Sequence, residues 1–307
     1  LVACSGGADS AALAISLAQV KPQVITLGYI AHDLRNADVV EHEREVVRKV
    51  ARELGCGFVT QGVLVREQKG NIEAAARRLR YAALRELALQ EKCLFVASGH
   101  QATDQLETVL MRLLRGTGSR GLRGVAERRS LGDGVMLIRP MLGVTREEAE
   151  GVCEGFGYVP LMDSTNADVS LLRNAIRAKV IPVLKELRPG VERRVAVASM
   201  LQADGAELID AAVASAAERC GEVAEDGRVL WNRRLMKRES VAAVRGLVWK
   251  RARELAIRVD RVDHAAIRQV VEVIMGQEMH RKEWHTGGVR VVVNSKSVTC
   301  ERMNRPQ

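Results

Sequence analysis

Six consecutive residues near the start of the chain, Ser5-Gly6-Gly7-Ala8-Asp9-Ser10, could hold phosphate. Two glycines let a backbone turn tightly and approach a ligand without side-chain obstruction. They lie between an apolar strand end and an alanine-rich helical stretch, so the first free N–H groups of that helix face outward as an anion site. Ser5 and Ser10 can add hydroxyl donors. Asp9 would repel phosphate directly, and it makes sense if a divalent cation such as Mg²⁺ lies between the two charges. The string is not a Walker loop, because GxxxxGK(S/T) does not occur. The plain alternative is a strand-to-helix turn capped by Ser or Asp.

Other groups recur at helical spacing. Asp104, Glu107 and Thr108 stand at i, i+3 and i+4, hence on one face, where two carboxylates could hold an ammonium group or a magnesium ion. An acidic first turn complementing the helix dipole would look the same. Arg112 and Arg115 follow one turn apart. Residues 112–129 then carry six arginines against one glutamate, Arg120 and Arg123 among them, interleaved with glycines that let a loop follow phosphates. Glu73, Arg77, Arg80 and Tyr81 share two helical turns, where Arg77 and Arg80 either reach a polyanion or pair with Glu73. Arg173, Asn174 and Arg177 open a second basic stretch, with seven Lys+Arg against two Glu over residues 173–194, suited to RNA backbone or pyrophosphate.

The elements that must position these residues alternate. Strand-like runs at Leu1–Cys4, Val24–Ala31, Cys93–Ser98 and Met136–Arg139 are separated by helical periodicity over 10–20, 41–54, 71–89, 103–114 and 145–156. That alternation predicts βαβ units, an α/β fold with a parallel sheet and helices on both faces. Pro189-Gly190 breaks the pattern and divides an expected domain 1–188 from a smaller, mostly helical domain 189–307 that ends in a hairpin. The six cysteines are scattered without a CxxC pair, which argues against a zinc ribbon and for reduced thiols in a cytoplasmic protein. No stretch is long and apolar enough to cross a membrane. A net charge of +9 suits a polyanionic partner, and 3% aromatics argues against base-stacking platforms as the dominant contact. The chain opens on Leu1 with its first motif within five residues, so a few upstream residues of the first strand are expected.

In this setting Ser-Gly-Gly-x-Asp-Ser resembles the PP-loop of the N-type ATP pyrophosphatases (adenine nucleotide alpha hydrolase-like fold), which cleave ATP between the α and β phosphates. Further segments narrow the likeness: Gly99-His100-Gln101-Ala102-Thr103-Asp104-Gln105-Leu106-Glu107-Thr108, Asn71–Tyr81, Ile138-Arg139-Pro140, Asp163-Ser164-Thr165-Asn166-Ala167-Asp168, and Leu172-Arg173-Asn174-Ala175-Ile176-Arg177. In order and spacing they resemble the tRNA(Ile)-lysidine synthases, specifically over residues 1–185, while residues 189–307 are similar in general character to that family's small tRNA-contacting domain. The resemblance implies two steps: ATP adenylates the C2 oxygen of the wobble cytidine, and L-lysine then displaces AMP to leave lysidine in a tRNA(Ile) with a CAU anticodon. It implies ATP binding at Ser5, Gly6, Gly7, Ala8, Asp9, Ser10 and His32, catalysis by Asp9, His100, Asp104 and Glu107, and a metal on Asp9. Lysine or pyrophosphate falls to Asp104, Glu107, Thr108, Arg112 and Arg115, and tRNA to Arg77, Arg80, Arg120, Arg123, Arg173, Asn174 and Arg177. It also implies a short-form enzyme without a second C-terminal domain, with a homodimer as a candidate assembly. The chain departs from the family pattern at Tyr29, Gln101 and Thr103. The rival readings are a tRNA thiolation enzyme of the same superfamily, which would call for paired cysteines, and a binding module that kept the fold without the chemistry.

Overall fold

The structure is a computed structural model that describes residues 1–161, 172–223, 229–277 and 280–303. It comprises two compact units, Leu1–Ala203 and Asp204–Gln307. The division falls inside a long helix rather than at Pro189-Gly190, where the chain merely turns from one helix into the next.

In the first unit the order is β1 (Val2–Ala3), α1 (Ala8–Val20), β2 (Thr26–His32), α2 (Ala37–Glu53), β3 (Gly57–Val63), α3 (Ile72–Gln90), β4 (Phe95–Ser98), α4 (Ala102–Leu114) and α5 (Ser119–Leu122). Then come β5 (Arg128–Gly132), β6 (Val135–Ile138), α6 (Arg146–Phe156), α7 (Leu172–Ala175), a π-helical turn Ile176–Val180, α8 (Ile181–Leu187) and the start of α9 (Val191–Cys220). The six strands lie in the order β3-β2-β1-β4-β6-β5, parallel except for the hairpin partner β5. One core joins β1 and β2 to α1, α2 and α6 through Leu13, Ile15, Leu27, Val47 and Cys153. Another joins the opposite sheet face to α3 through Leu84, Leu87, Val96 and Leu137. The expected α/β sheet with helices on both faces is therefore present. Strand order reverses at β1, and in open α/β sheets the crevice at the carboxyl ends of such strands is where ligands bind. The loops after β1 and β4 both open there.

The second unit has the expected helices and C-terminal hairpin, and adds three strands to that hairpin. The end of α9, β7 (Gly221–Val223), β8 (Val229–Asn232), α10 (Arg233–Met236), α11 (Val241–Leu255), α12 (His264–Met275), β9 (Lys282–Thr286), β10 (Val289–Val293) and β11 (Ser297–Arg302) form it. The hairpin β10–β11 belongs to a five-stranded antiparallel sheet ordered β7-β8-β11-β10-β9. The apolar β10 announces itself, whereas β9 reads Lys-Glu-Trp-His-Thr, exposed along most of its length, and gives no apolar alternation. Trp231, Val248, Ile274 and Val291 belong to the shared core.

Candidate active site

Gly6 adopts a φ of +82°, which an L side chain rarely tolerates, and a Cβ there would meet Leu161 Cδ1 at 2.5 Å. The turn is tied from behind: Tyr158 Oη and the Leu161 amide both donate to the Gly6 carbonyl, at 2.7 and 2.9 Å. Ser10 Oγ accepts from the Ser5 amide at 3.1 Å and donates to the Gly7 carbonyl at 3.0 Å. Ser10 thus shapes the loop from within, while Ser5 remains exposed. Gly7 is the N-cap of α1 and supplies no side-chain acceptor. The first-turn amides of Ala8, Asp9 and Ser10 have no carbonyl four residues earlier in the helix to receive them, so an incoming anion can.

Two carboxylates approach this turn. Asp9 Oδ1 accepts from Gln101 Nε2 at 3.1 Å. Burial, then the charge of Asp104, hold the Asp9 carboxyl above its usual range, only partly offset by Gln101, Arg146 and Arg177. The approach depends on Gly99, where a Cβ would lie 2.7 Å from the Asp9 carbonyl oxygen. Asp9 beside these amides can supply a carboxylate to a magnesium ion, which needs one or two from protein and takes its other ligands from water and phosphate, whereas both oxygens of Asp104 are engaged. Among the described residues no three His, Cys, Asp or Glu gather around one point, so a cage made wholly of protein is absent.

On α4 the expected acidic face exists but is filled. Glu107 is fully buried, its Oε2 accepting from Arg173 Nε at 2.5 Å and its Oε1 from Arg177 Nε at 2.6 Å. Arg173 Nη2 also reaches Asp104 Oδ1 at 2.7 Å, while Asp104 Oδ2 accepts the Gln101 amide at the helix start. Residues read separately as lysine ligands and tRNA ligands are therefore partners of one another. Thr108 is half-buried beside them, as is Asn174 on α7.

Arg112 takes a place different from the expected one. Its Nη1 donates to the carbonyls of Gly121 and Gly124, at 2.6 and 2.8 Å, and so braces the glycine-rich loop instead of reaching for a ligand. Arg115 lies exposed at the end of α4, and Arg120 and Arg123 are on and just after α5. Gln105, to which the sequence analysis assigns no role, clamps Val125 in both directions: Nε2 donates to its carbonyl at 2.9 Å and Oε1 accepts its amide at 2.6 Å. An amide side chain at a core-facing position of an amphipathic helix was the available signal.

Beyond β4, His100 Nδ1 bonds Ser98 Oγ at 2.9 Å. Burial, reinforced by Arg139, Arg77, Arg80 and Arg173, lowers its pKa to about 3, so its imidazole is neutral at physiological pH. Arg77 and Arg80 do not staple α3 to Glu73. They gather with Arg129 over the Tyr81 ring, at 5.2, 5.9 and 4.7 Å from its centroid. Arg139, also missed, is almost wholly buried and donates to the Ala126 carbonyl; an arginine just after an apolar strand and before proline was its signature.

The Tyr29 departure, in the middle of β2, has a partner as well. Tyr29 Oη donates to Glu43 Oε2 at 2.8 Å, and Arg35 pairs with the other oxygen of the same carboxylate. Asp33 accepts the Val65 and Arg66 amides and ties β2 to the chain beyond β3. His32, half-buried, ends β2 at the same edge of the sheet as the glycine turn. Asp163-Ser164-Thr165-Asn166-Ala167-Asp168 lies outside the described residues.

A glycine turn between the central parallel strand and an uncapped helix, with an aspartate in its first turn, defines a PP-loop nucleotide-binding domain, and the model of the PP-loop domain family matches residues 1–184. The chain is 35% identical to the tRNA(Ile)-lysidine synthase of Salinispora tropica over 98% of its own length and 90% of the relative's. With that extent of likeness the chain belongs to the tRNA(Ile)-lysidine synthase family. It is also 35% identical to the Geobacter sulfurreducens tRNA(Ile)-lysidine synthase across 78% of its residues, where it spans about half (51%) of the relative's length. Among solved structures, the U34-tRNA thiolase NcsA of Methanococcus maripaludis, with its 4Fe-4S cluster, shares the fold at a TM-score of 0.51 and 18% identity, over 64% of this chain and 69% of that one. Among the described residues no helix is long and apolar enough to cross a membrane.

Proposed function

We infer that this chain ligates L-lysine to C2 of the wobble cytidine of a tRNA(Ile) with a CAU anticodon, consuming ATP and releasing AMP and pyrophosphate, as a cytoplasmic enzyme. The observation that carries the reading is the uncapped start of α1 behind Gly6-Gly7, next to Asp9, in a chain that matches one tRNA(Ile)-lysidine synthase nearly end to end. The amides of Ala8, Asp9 and Ser10 would receive the phosphates of ATP, with Ser5 at the open side and His32 beside them. Asp9, with Asp104 close by, would hold Mg²⁺, which when bound offsets the charge that develops on the phosphates. An amide-like carbonyl oxygen is a poor leaving group and an adenylate is a good one, so activation must precede attack by the amine.

Glu107 and Asp104 already hold two guanidinium groups. This supports a cation subsite there: the lysine ammonium would take the place of one guanidinium, freeing an arginine of the 173–177 segment for RNA phosphate. His100, held neutral by burial among arginines, can accept or donate a hydrogen bond without becoming charged. Arg77, Arg80, Arg120 and Arg123 would meet the tRNA backbone. The thiolation reading draws no support from the cysteines, which are all free and form no metal-holding group among the described residues.

The test is incubation with ATP, Mg²⁺, labelled lysine and total bacterial tRNA. Lysine-dependent label in RNA with AMP release is the expected result. Adenylated RNA that never accepts lysine would overturn the choice of nucleophile, and absence of pyrophosphate release would overturn the catalytic reading altogether.

A further inference from the structure

β1 and β4 are paired in register, Ala3 opposite Ser98, so the loops that follow them leave the sheet side by side. Gly99 permits their close approach, and two residues further on Gln101, only 5% exposed, donates from Nε2 to Asp9 Oδ1 at 3.1 Å. The backbone that carries this side chain is held on both sides. The Gln101 amide donates to Asp104 Oδ2 at 3.0 Å, and its carbonyl accepts the Asp104 and Gln105 amides at 3.0 and 3.3 Å. The next amide, that of Ala102, donates to the Val144 carbonyl at 2.9 Å. A buried side chain on so fixed a backbone has little freedom to leave its partner.

The two neighbouring carboxylates are left in different states. Asp104 commits one oxygen to Arg173 and the other to the Gln101 amide. Asp9 commits Oδ1 to the Gln101 side chain, while its Oδ2 takes no hydrogen bond from any described residue. Toward an ionised carboxylate a glutamine can act only as a donor, and it carries no charge of its own. Divalent cations differ in what they ask of such a group. Ca²⁺ gathers roughly six to eight oxygens and accepts both oxygens of one carboxylate, whereas Mg²⁺ completes a small octahedron with water and phosphate around one or two carboxylates.

We propose that Gln101 is a positioning residue that keeps Asp9 a one-oxygen ligand and so selects Mg²⁺ over Ca²⁺ at the phosphates of ATP. With Oδ1 held by the amide, the carboxylate cannot chelate a larger ion through both oxygens, and Oδ2 is presented in one orientation. Removing a group that orients a metal ligand in this way changes affinity by about 10- to 100-fold. The inference rests on the assignment of Mg²⁺ to Asp9, and adds to it the residue that decides which cation is accepted.

The test is calorimetric titration of the full chain with α,β-methylene-ATP, which cannot be cleaved between its α and β phosphates, in saturating Mg²⁺, in saturating Ca²⁺ and in EDTA. Wild-type protein should bind the Mg²⁺ complex at least about tenfold more tightly than the Ca²⁺ complex. Gln101→Met keeps the length of the side chain and removes the donor. It should weaken the Mg²⁺ complex about tenfold and leave the Ca²⁺ complex within about twofold, so that the two affinities converge. A merely structural role would weaken both complexes alike and preserve their ratio, and that outcome overturns the proposal. So would wild-type protein that holds both complexes equally well. Should Gln101→Met fail to fold, Gln101→Asn, whose amide stops one methylene short of Asp9, carries the same expectation. Mg²⁺-dependent binding with an unchanged ratio in the variant sinks only the role of Gln101. Binding as tight in EDTA as in Mg²⁺ would remove the metal from Asp9 as well, and no binding under any condition would overturn the ATP site and the proposal together.

Discussion

At the start of α1 the chain leaves backbone donors without partners, whereas one turn into α4 it supplies carboxylates and gives each of them a guanidinium. The first region is built from main-chain geometry, with Gly6 at positive φ, Gly7 as a silent cap, and Ser10 turned inward to hold the turn. The second is built from long side chains brought from 66 residues or more away in sequence, Arg173 and Arg177 meeting Asp104 and Glu107. A backbone site is present whether or not ligand is bound. A side-chain site can satisfy itself in the absence of ligand, and must then exchange partners to work.

The sharpest way to break this contrast is at Asp9. Asp9→Asn should lower adenylation by at least about a thousandfold, near 4 kcal/mol of transition-state stabilisation, with tRNA affinity nearly unchanged. The same change should raise the melting temperature measured without ATP and Mg²⁺. The folded pKa of Asp9 is raised, so its unfavourable contribution is absent well below the unfolded value of about 3.8 and develops as pH rises through the folded one. Asn carries no such charge. A variant that still releases AMP at the wild-type rate would remove Asp9 from the metal site.

A smaller loss is expected on the side-chain half. Glu107→Gln leaves Arg173 and Arg177 facing a neutral amide in a buried place, which should cost about 2–4 kcal/mol; the full penalty for splitting a buried pair is reduced because both arginines are partly exposed. Chemical denaturation measures it. A change under about 0.5 kcal/mol would mean that the arginines re-solvate freely and that the pairing is incidental.

The same contrast decides what could be read from the chain alone. Four of the six strands of the first unit (β1, β2, β4 and β6) and helices α1 to α4 and α6 follow apolar periodicity, and the glycine turn announces itself because few residue types can occupy it. Gly57–Val63 gives no strand signal in the sequence, because its side chains are all half-buried or exposed and form no apolar run. Charge clusters were legible as clusters, but not as partners. Nothing in the spacing says that Arg173 meets Glu107, that Arg112 braces carbonyls, or that Arg77 and Arg80 join Arg129 over Tyr81. Those pairings depend on a sheet order, β1 beside β4 and then β6, that periodicity does not encode.

On the basic loop, Arg120→Ala with Arg123→Ala should weaken tRNA about tenfold and lower the slope of log affinity against log salt by about 1 to 2, since fewer counterions would be released. Arg112→Ala acts on the same loop by freeing the carbonyls of Gly121 and Gly124, so it should weaken tRNA with less change in slope. Equal slope changes for the two would make Arg112 a phosphate ligand after all.

The least effect on activity at working pH, and the most diagnostic of the arginine-lined side, is expected at His100. Its folded pKa near 3 lies below the unfolded value of about 6.5, so between those limits the unfolded chain binds a proton that the folded chain refuses. Stability therefore rises with pH through that window and is flat with respect to this group above it. His100→Gln should remove that component: the two proteins should differ by a constant amount above about pH 6.5, and the variant should lose less stability on acidification. Because the imidazole stays neutral throughout the working range, the pH–rate profile should show no step near 6.5 that vanishes in the variant. Such a step would mean that the arginines of α3 and the residue after β6 turn away from His100 once substrate enters, and that this half of the site also exchanges partners to work.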